Sequence, residues 1–221
     1  MNPTAEIIFR ISFGVLWGIY FFVRLVFQKR VKRSEEYTRV NEKQEMLLFR
    51  LFALAYLLLP FYFLTPWVDF AGMPFPQWLR WLGALINALG IVLFAWSHLA
   101  LGNNWTAVMA LAKEHEMVES GPYRYIRHPM YLAFFVTGAG FFILSANWLL
   151  GIVYFLPLMV MYVTRASREE QMMIERFGDQ YREYMKRTGR LLPRLFVWTG
   201  VYPPSKSPDE DTSTQSPREE G

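Results

Sequence analysis

The sequence contains no cysteine and only three histidines among its 221 residues. The lack of cysteine excludes disulfide bonds and thiol chemistry. Of the histidines, His115 and His128 have no convincing set of partner ligands around them, so no metal site is expected. The sequence also lacks the glycine-rich loops that bind the phosphates of nucleotides and dinucleotides.

Apolar and aromatic residues dominate what is present, at 53% and 18% of the chain. The formal net charge is +4, which in a soluble protein would suggest a nucleic-acid partner. Here the basic residues flank long apolar runs, so membrane topology and anionic lipid account for them better. We expect a lipid bilayer as partner, and no nucleic acid.

Three apolar runs, at residues 6–27, 46–65 and 78–101, have the roughly 20 residues that a bilayer crossing needs. Pro60 is expected to kink the end of the second run. Arg10, near the start of the first, is expected to reach the membrane interface. From Tyr131 the chain carries no charge until Arg165, which is too long for one crossing and predicts a hairpin of helices at 131–144 and 148–164.

These runs predict an all-α integral membrane protein with about five transmembrane helices, including a C-terminal helical hairpin. Lys and Arg concentrate in alternate loops, which places the N-terminus outside and the C-terminus in the cytoplasm. Residues 165–188 resemble a charged amphipathic helix that breaks near Gly178 and stops at Gly189. We divide the chain into N-terminal transmembrane helices (1–100), a core with two spans and a cytoplasmic helix (101–202) and a disordered tail (203–221).

Residues 114–131 form the densest polar segment between apolar regions, and Gly121-Pro122 and His128-Pro129 indicate a turn-rich loop. A hairpin after this loop returns Arg165 to the membrane depth of His128. Each charge alone has an ordinary explanation, such as a stop-transfer arginine. Together they predict a site at the cytoplasmic interface, because ionisable groups near membrane depth usually need partners.

Three motifs stand out in this region. The first is Gly-Pro-Tyr-Arg-Tyr-Ile-Arg-His-Pro-Met-Tyr at residues 121–131. The second is Arg165 followed by Glu169-Glu170, Phe177-Gly178, Tyr181 and Tyr184, and the third is Leu-Gly-Asn-Asn-Trp at 101–105. The first two resemble the motifs of the isoprenylcysteine carboxyl methyltransferase family, and the third is similar to an upstream motif of its bacterial members. The resemblance covers residues 101–193.

The resemblance implies S-adenosyl-L-methionine as methyl donor and a lipophilic methyl acceptor, the carboxylate of a lipidated cysteine. Arg165 would contact that carboxylate as the catalytic and substrate-binding residue. The residues that would bind the donor are His115, Glu116, Met117, Val118, Tyr123, His128, Pro129, Met130, Tyr131 and Glu169.

Three other functions remain open at this point. The first is methyl transfer to an amine, as in phospholipid methyltransferases, where Glu170 or His128 would act as a base. The second is a sterol-type reductase that uses NADPH. The third is a non-catalytic membrane scaffold that holds anionic lipid on the basic residues 29–33.

Overall fold

The structure is a computed structural model that describes residues 3–30, 37–39, 47, 50, 51, 53, 54, 56–102, 110–112 and 117–194. Its helices are α1 (Pro3–Arg30), α2 (Phe61–Leu64), α3 (Gln77–Leu101), α4 (Pro129–Ser145), α5 (Trp148–Phe177) and α6 (Asp179–Arg187). Two strands, β1 (Tyr37–Arg39) and β2 (Ala110–Ala112), pair antiparallel with Tyr37 opposite Ala112. Short 3-10 turns cover Asp69–Ala71 and Gly121–Arg124.

Three of these helices, α1, α3 and α5, are long and apolar enough to cross a membrane, and α4 is a shorter apolar helix of 17 residues. The prediction of a helical integral membrane protein is therefore confirmed. The all-α prediction was wrong in one detail, the short β1–β2 ladder, because three-residue strands leave no periodic pattern in a sequence.

The predicted helical hairpin is present as α4 and α5. Ala146 turns the chain with a left-handed φ of 48°, and the side chain of Asn147 accepts the Leu150 N–H at 3.1 Å to cap α5. The sequence predicted that helix α5 ends at Thr164. In the structure it continues unbroken to Phe177. Its 30 residues span about 45 Å, which exceeds a hydrocarbon core of roughly 30 Å. Its charged last turns therefore extend beyond the apolar segment.

The second apolar run is helical at its described residues between 47 and 58 and turns at Leu59 and Pro60 before α2. The predicted interruption at Pro60 is thus confirmed. Tyr56, Leu59 and Tyr62 of this run are buried. They pack with Phe13 and Tyr20 of α1 in the main hydrophobic core.

Helices α3 and α4 approach each other closely because glycines line their crossing. A Cβ added at Gly140 would lie 2.4 Å from the backbone nitrogen of Asn87, and one at Gly90 would lie 2.7 Å from that of Thr137. Buried Asn87 donates from Nδ2 to the Thr137 carbonyl at 2.9 Å across this crossing. The α3–α4 pair is therefore a rigid unit that fixes the start of α4.

A cluster of charged side chains joins the helix ends at the end of the molecule opposite the start of α4. Arg80 is 1% exposed and donates to the carbonyl of Leu144 (2.8 Å), to Glu6 (2.6 Å) and to the hydroxyl of Tyr62 (2.9 Å). Arg10 donates to the Tyr62 carbonyl at 2.9 Å and pairs with Asp69. Arg10 was expected to reach the membrane interface, and the structure adds that it bonds to the α2 segment through the Tyr62 carbonyl.

Candidate functional site

The site begins with the turn Gly121–Arg124, which lies against the C-terminal end of α3. Gly121 has a φ of 59°, a conformation that favours glycine. A Cβ there would lie 2.9 Å from the Cβ of Ala100 and 3.2 Å from Nε1 of Trp96. Both the backbone conformation and the close contact therefore require a glycine at this position.

Tyr184 of α6 holds the same turn from the other side. Its hydroxyl donates to the carbonyl of buried Tyr123 at 2.6 Å. Burial raises the pKa of Tyr184 above its ordinary value, so the hydroxyl keeps its proton and remains a donor. Helix α6 thus fixes the turn through a neutral hydrogen bond that ordinary changes of pH do not disturb.

Residues 188–194, here called the strap, run beside the residues that precede α4. The Arg127 N–H donates to the Gly189 carbonyl at 2.8 Å and the His128 N–H donates to the Arg190 carbonyl at 3.0 Å. Helix α6 ends at Arg187, and Thr188 is already extended. The helix therefore stops just before Gly189, as predicted, and Gly189 itself pairs with Ile126 in a parallel bridge.

Glu169 lies at the centre of the predicted site residues. Its Oε1 accepts from the Tyr131 hydroxyl at 3.0 Å and lies 3.3 Å from Nη2 of Arg165, one helical turn away. Its Oε2 lies 3.6 Å from Nδ1 of His128. The structure therefore brings four of the predicted residues together, from the loop, α4 and α5.

The side chain of Glu169 retains 27% of its exposure, whereas Arg165, His128 and Tyr131 are buried. The ring of Tyr131 contacts those of His128 and Tyr162 edge to face, with centroids 5.6 and 5.4 Å apart. The arrangement combines an accessible carboxylate, a guanidinium and aromatic edges. It suits a ligand that carries both a cation and polar groups.

The other residues predicted to bind the donor lie in the segment that leads into α4 and in its first turn. Pro129 is buried in the first turn of α4, Met130 beside it is half-buried, and Met117 and Val118 are half-buried ahead of the turn. Tyr123 lies in the turn with its carbonyl bound to Tyr184. His115 and Glu116 lie outside the described residues.

Sequence reasoning left three residues out of the site: Glu170, Arg127 and Arg190. Glu170 accepts from Arg127 Nε at 2.8 Å, His128 Nε2 at 3.2 Å and Arg190 Nη2 at 2.8 Å. Burial lowers the pKa of Arg190, but the hydrogen bond and attraction of Glu170 outweigh this and leave the pKa raised. The signal available in the sequence was the Arg127-His128 pair, two neighbouring donors that need an acceptor.

Comparison with known proteins gives one consistent result. Residues 82–175 match the model of the isoprenylcysteine carboxyl methyltransferase (ICMT) family. The protein-S-isoprenylcysteine O-methyltransferase of Mus musculus is 30% identical over 139 residues, which cover 59% of this chain and 49% of that protein. Protein-S-isoprenylcysteine O-methyltransferase B of Arabidopsis thaliana is 26% identical over 150 residues, covering 67% of this chain and 76% of that protein.

A solved structure, that of the eukaryotic intramembrane Ras methyltransferase ICMT, is 25% identical to this chain. The match covers 70% of this chain and 54% of that one, with a TM-score of 0.49. The chain spans about half the length of the mammalian relatives that it matches.

Proposed function

Because residues 82–175 match the model of the isoprenylcysteine carboxyl methyltransferase family, we propose that this chain is a membrane methyltransferase of that family. It transfers a methyl group from S-adenosylmethionine to the carboxylate of a lipidated or hydrophobic acceptor. The observation that carries the proposal is the group of Glu169, Tyr131, His128 and Arg165, four residues of the family-like motifs in mutual contact.

In this proposal Glu169 binds the polar groups of the donor. Its carboxylate is the most accessible of the four side chains and carries the charge that attracts a cation. Tyr131 and Arg165 hold Glu169 by its Oε1, which fixes the direction of the carboxylate before the donor arrives. Tyr123 and residues 128–131 line the rest of the donor site, and the family resemblance adds residues 115–118 to it.

When bound, S-adenosylmethionine supplies a methyl group already activated by the sulfonium. The acceptor carboxylate is ionised at neutral pH and needs no general base. The chain's contribution is therefore to position the acceptor. Arg165 can do so because its guanidinium can donate two parallel hydrogen bonds to a carboxylate. Arg165 is 8% exposed, so little water competes for its guanidinium and its attraction for the acceptor is strengthened.

The contacts of Glu170 argue against the amine-methylating alternative that uses it as a base. An amine acceptor must lose a proton, and a base needs an oxygen free to take it. Both oxygens of Glu170 already accept hydrogen bonds from Arg127, His128 and Arg190. A carboxylate acceptor makes no such demand on the site.

The proposed enzyme crosses the membrane five times, with its donor site on one side. Five crossings with the N-terminus outside place the donor site on the cytoplasmic face, where soluble S-adenosylmethionine is available. Helices α1, α3, α5, the helical segment that ends at α2, and the short α4 supply these crossings. Residues 1–100 form the N-terminal spans and residues 101–202 the methyltransferase core. A lipid tail would reach Arg165 sideways from the bilayer.

The test is methyl transfer by the detergent-purified full chain from labelled S-adenosylmethionine. Three acceptors are compared: an N-acylated S-prenylcysteine, the methyl ester of the same compound, and phosphatidylethanolamine. We expect label only with the free carboxylate. Label in phosphatidylethanolamine alone would contradict carboxyl transfer, and oxidation of NADPH with a sterol in place of any methyl transfer would point to the reductase.

Arg165→Lys examines the acceptor role directly. Lysine keeps the charge but cannot make bidentate hydrogen bonds to the acceptor carboxylate, so turnover with the prenylcysteine should fall about 10- to 100-fold. The affinity for S-adenosylmethionine should fall less than the turnover, since the lysine ammonium can still pair with Glu169. Arg168→Lys, at an exposed position on the same helix, is the matched control.

A further inference from the structure

Glu170 joins three segments that are distant in the sequence. Oε1 accepts from Arg127 and His128, which directly precede α4, and Oε2 accepts from Arg190 in the strap. The carboxylate itself belongs to α5. Charged hydrogen bonds of this kind are stronger than neutral ones, and those from Arg127 and His128 join largely buried side chains.

Arg127 extends the connection to α6. Its Nη1 donates to the carbonyls of Thr188 (2.5 Å) and Met185 (3.2 Å), at the C-terminal end of that helix. The guanidinium is therefore fixed by Glu170 on one side and by α6 on the other. The loop, α5, α6 and the strap all meet at this one arginine and its carboxylate partner.

The neighbouring glutamates have different surroundings. The side chain of Glu169 is 27% exposed and that of Glu170 only 10%. The ring of His128 lies between them, with Nε2 toward Glu170 and Nδ1 toward Glu169. A carboxylate only accepts hydrogen bonds, so the Nε2–H must donate to Glu170, and this bond sets the orientation of the ring.

We propose that Glu170 is a positioning residue for the donor site, acting through His128 and Arg127 rather than by touching the donor. This inference rests on the proposed function. Removing the charge of Glu170 releases the loop and the His128 ring together. Partners that orient a binding residue in this way typically change affinity about 10- to 100-fold when lost, as seen around metal ligands.

Two matched variants make the test specific. Glu170→Gln keeps the size but presents an NH2 group to at least one of the donors. Glu175→Gln is the same change at an exposed position of the same helix, where the carboxylate accepts a hydrogen bond from Gln171. Glu6→Gln alters a carboxylate in the charge cluster at the opposite face and should lower stability without affecting the site.

The measurements are the Kd for S-adenosylmethionine, the KM for each substrate and the melting temperature of the purified full chain. For Glu170→Gln we expect the Kd and KM for the donor to rise about 10- to 100-fold, while kcat changes less. Glu170→Asp, which keeps the charge, should recover part of the affinity. Glu175→Gln should match the native chain, and Glu6→Gln should melt earlier with an unchanged Kd. A Glu170→Gln protein that melts earlier with an unchanged Kd would overturn the proposal.

Hydrogen exchange without donor separates this inference from the proposed function. Peptides covering 117–128 and the strap should exchange faster in Glu170→Gln, while those of the α3–α4 crossing should not. Unchanged exchange in the loop and strap would overturn the positioning role even if methyl transfer is established. Faster exchange in a chain that never binds S-adenosylmethionine would contradict the proposed function and leave the role of Glu170 in holding the loop intact.

Discussion

The α3–α4 crossing predicts that Gly140→Ala destabilises the protein. A Cβ at this position would lie 2.4 Å from the backbone nitrogen of Asn87 and 2.5 Å from its Cα. These atoms are backbone and cannot rotate away. Ordinary contact begins at 3.4 Å, so the two helices would have to separate by about 1 Å.

The expected cost follows from what such a separation disturbs. Inserting one methyl into a packed interior costs about 1–3 kcal/mol when neighbours must move. Moving α3 from α4 also stretches the Asn87 to Thr137 hydrogen bond, which is 2.9 Å and buried. That bond contributes about 1 kcal/mol. We therefore expect a loss of about 2–4 kcal/mol, partly offset by the better helix propensity of alanine, about 1 kcal/mol.

Gly18→Ala provides the control, since Gly18 lies inside α1 with nothing within 4 Å of an added Cβ. Both variants would be unfolded by heat in the same detergent, and the fraction that remains monodisperse would be followed. Gly140→Ala should melt clearly below the native chain, and Gly18→Ala at or slightly above it. Equal melting temperatures for the two variants would refute the close-packed crossing.

Three further predictions concern other contacts. Tyr184→Phe removes the hydroxyl bonded to the Tyr123 carbonyl, so thermal unfolding should show a loss of about 1–2 kcal/mol; no loss would mean that α6 does not hold the turn. Arg80→Met leaves Glu6 without its buried partner and should cost about 3–5 kcal/mol by the same assay, with the Kd for S-adenosylmethionine unchanged; a raised Kd would show that the two ends of the molecule are coupled. Gly121→Ala combines a positive φ with a 2.9 Å contact to Ala100 and should lower both stability and donor affinity. Gly178→Ala, with a positive φ but nothing within 4 Å of the added Cβ, should lower stability alone. Equal donor affinities for the two variants would show that the fit of the turn against α3 does not matter for binding.

The parts of the fold that the sequence predicted are those fixed by local physics. The length of the uncharged stretch after Tyr131 indicated a hairpin, and Ala146 and Asn147 form its turn. Pro60 interrupts its helical segment because proline cannot continue one. In the candidate site, Glu169 lies one turn after Arg165, so helical spacing alone places the two together.

The parts that could not be predicted depend on contacts between distant residues. The bond from Arg80 to Leu144 crosses 64 positions, and that from Arg10 to Tyr62 crosses 52. The periodic pattern of apolar residues in a sequence carries no information on such distant pairs. The pairing of Gly189 with Ile126 could not be predicted for the same reason, because Ile126 lies far upstream. Glu170 was left out of the site because its importance comes from Arg127, His128 and Arg190 meeting at one carboxylate.

The most direct test of the methyltransferase account is calorimetric titration of the detergent-purified chain with S-adenosylmethionine, beside NADPH and a Glu169→Ala variant. The account predicts saturable binding of S-adenosylmethionine by the native chain, loss of that binding in Glu169→Ala, and no binding of NADPH. Binding of NADPH alone would contradict it in favour of a reductase. Binding of neither by a chain that melts cooperatively would contradict it in favour of a non-catalytic membrane protein.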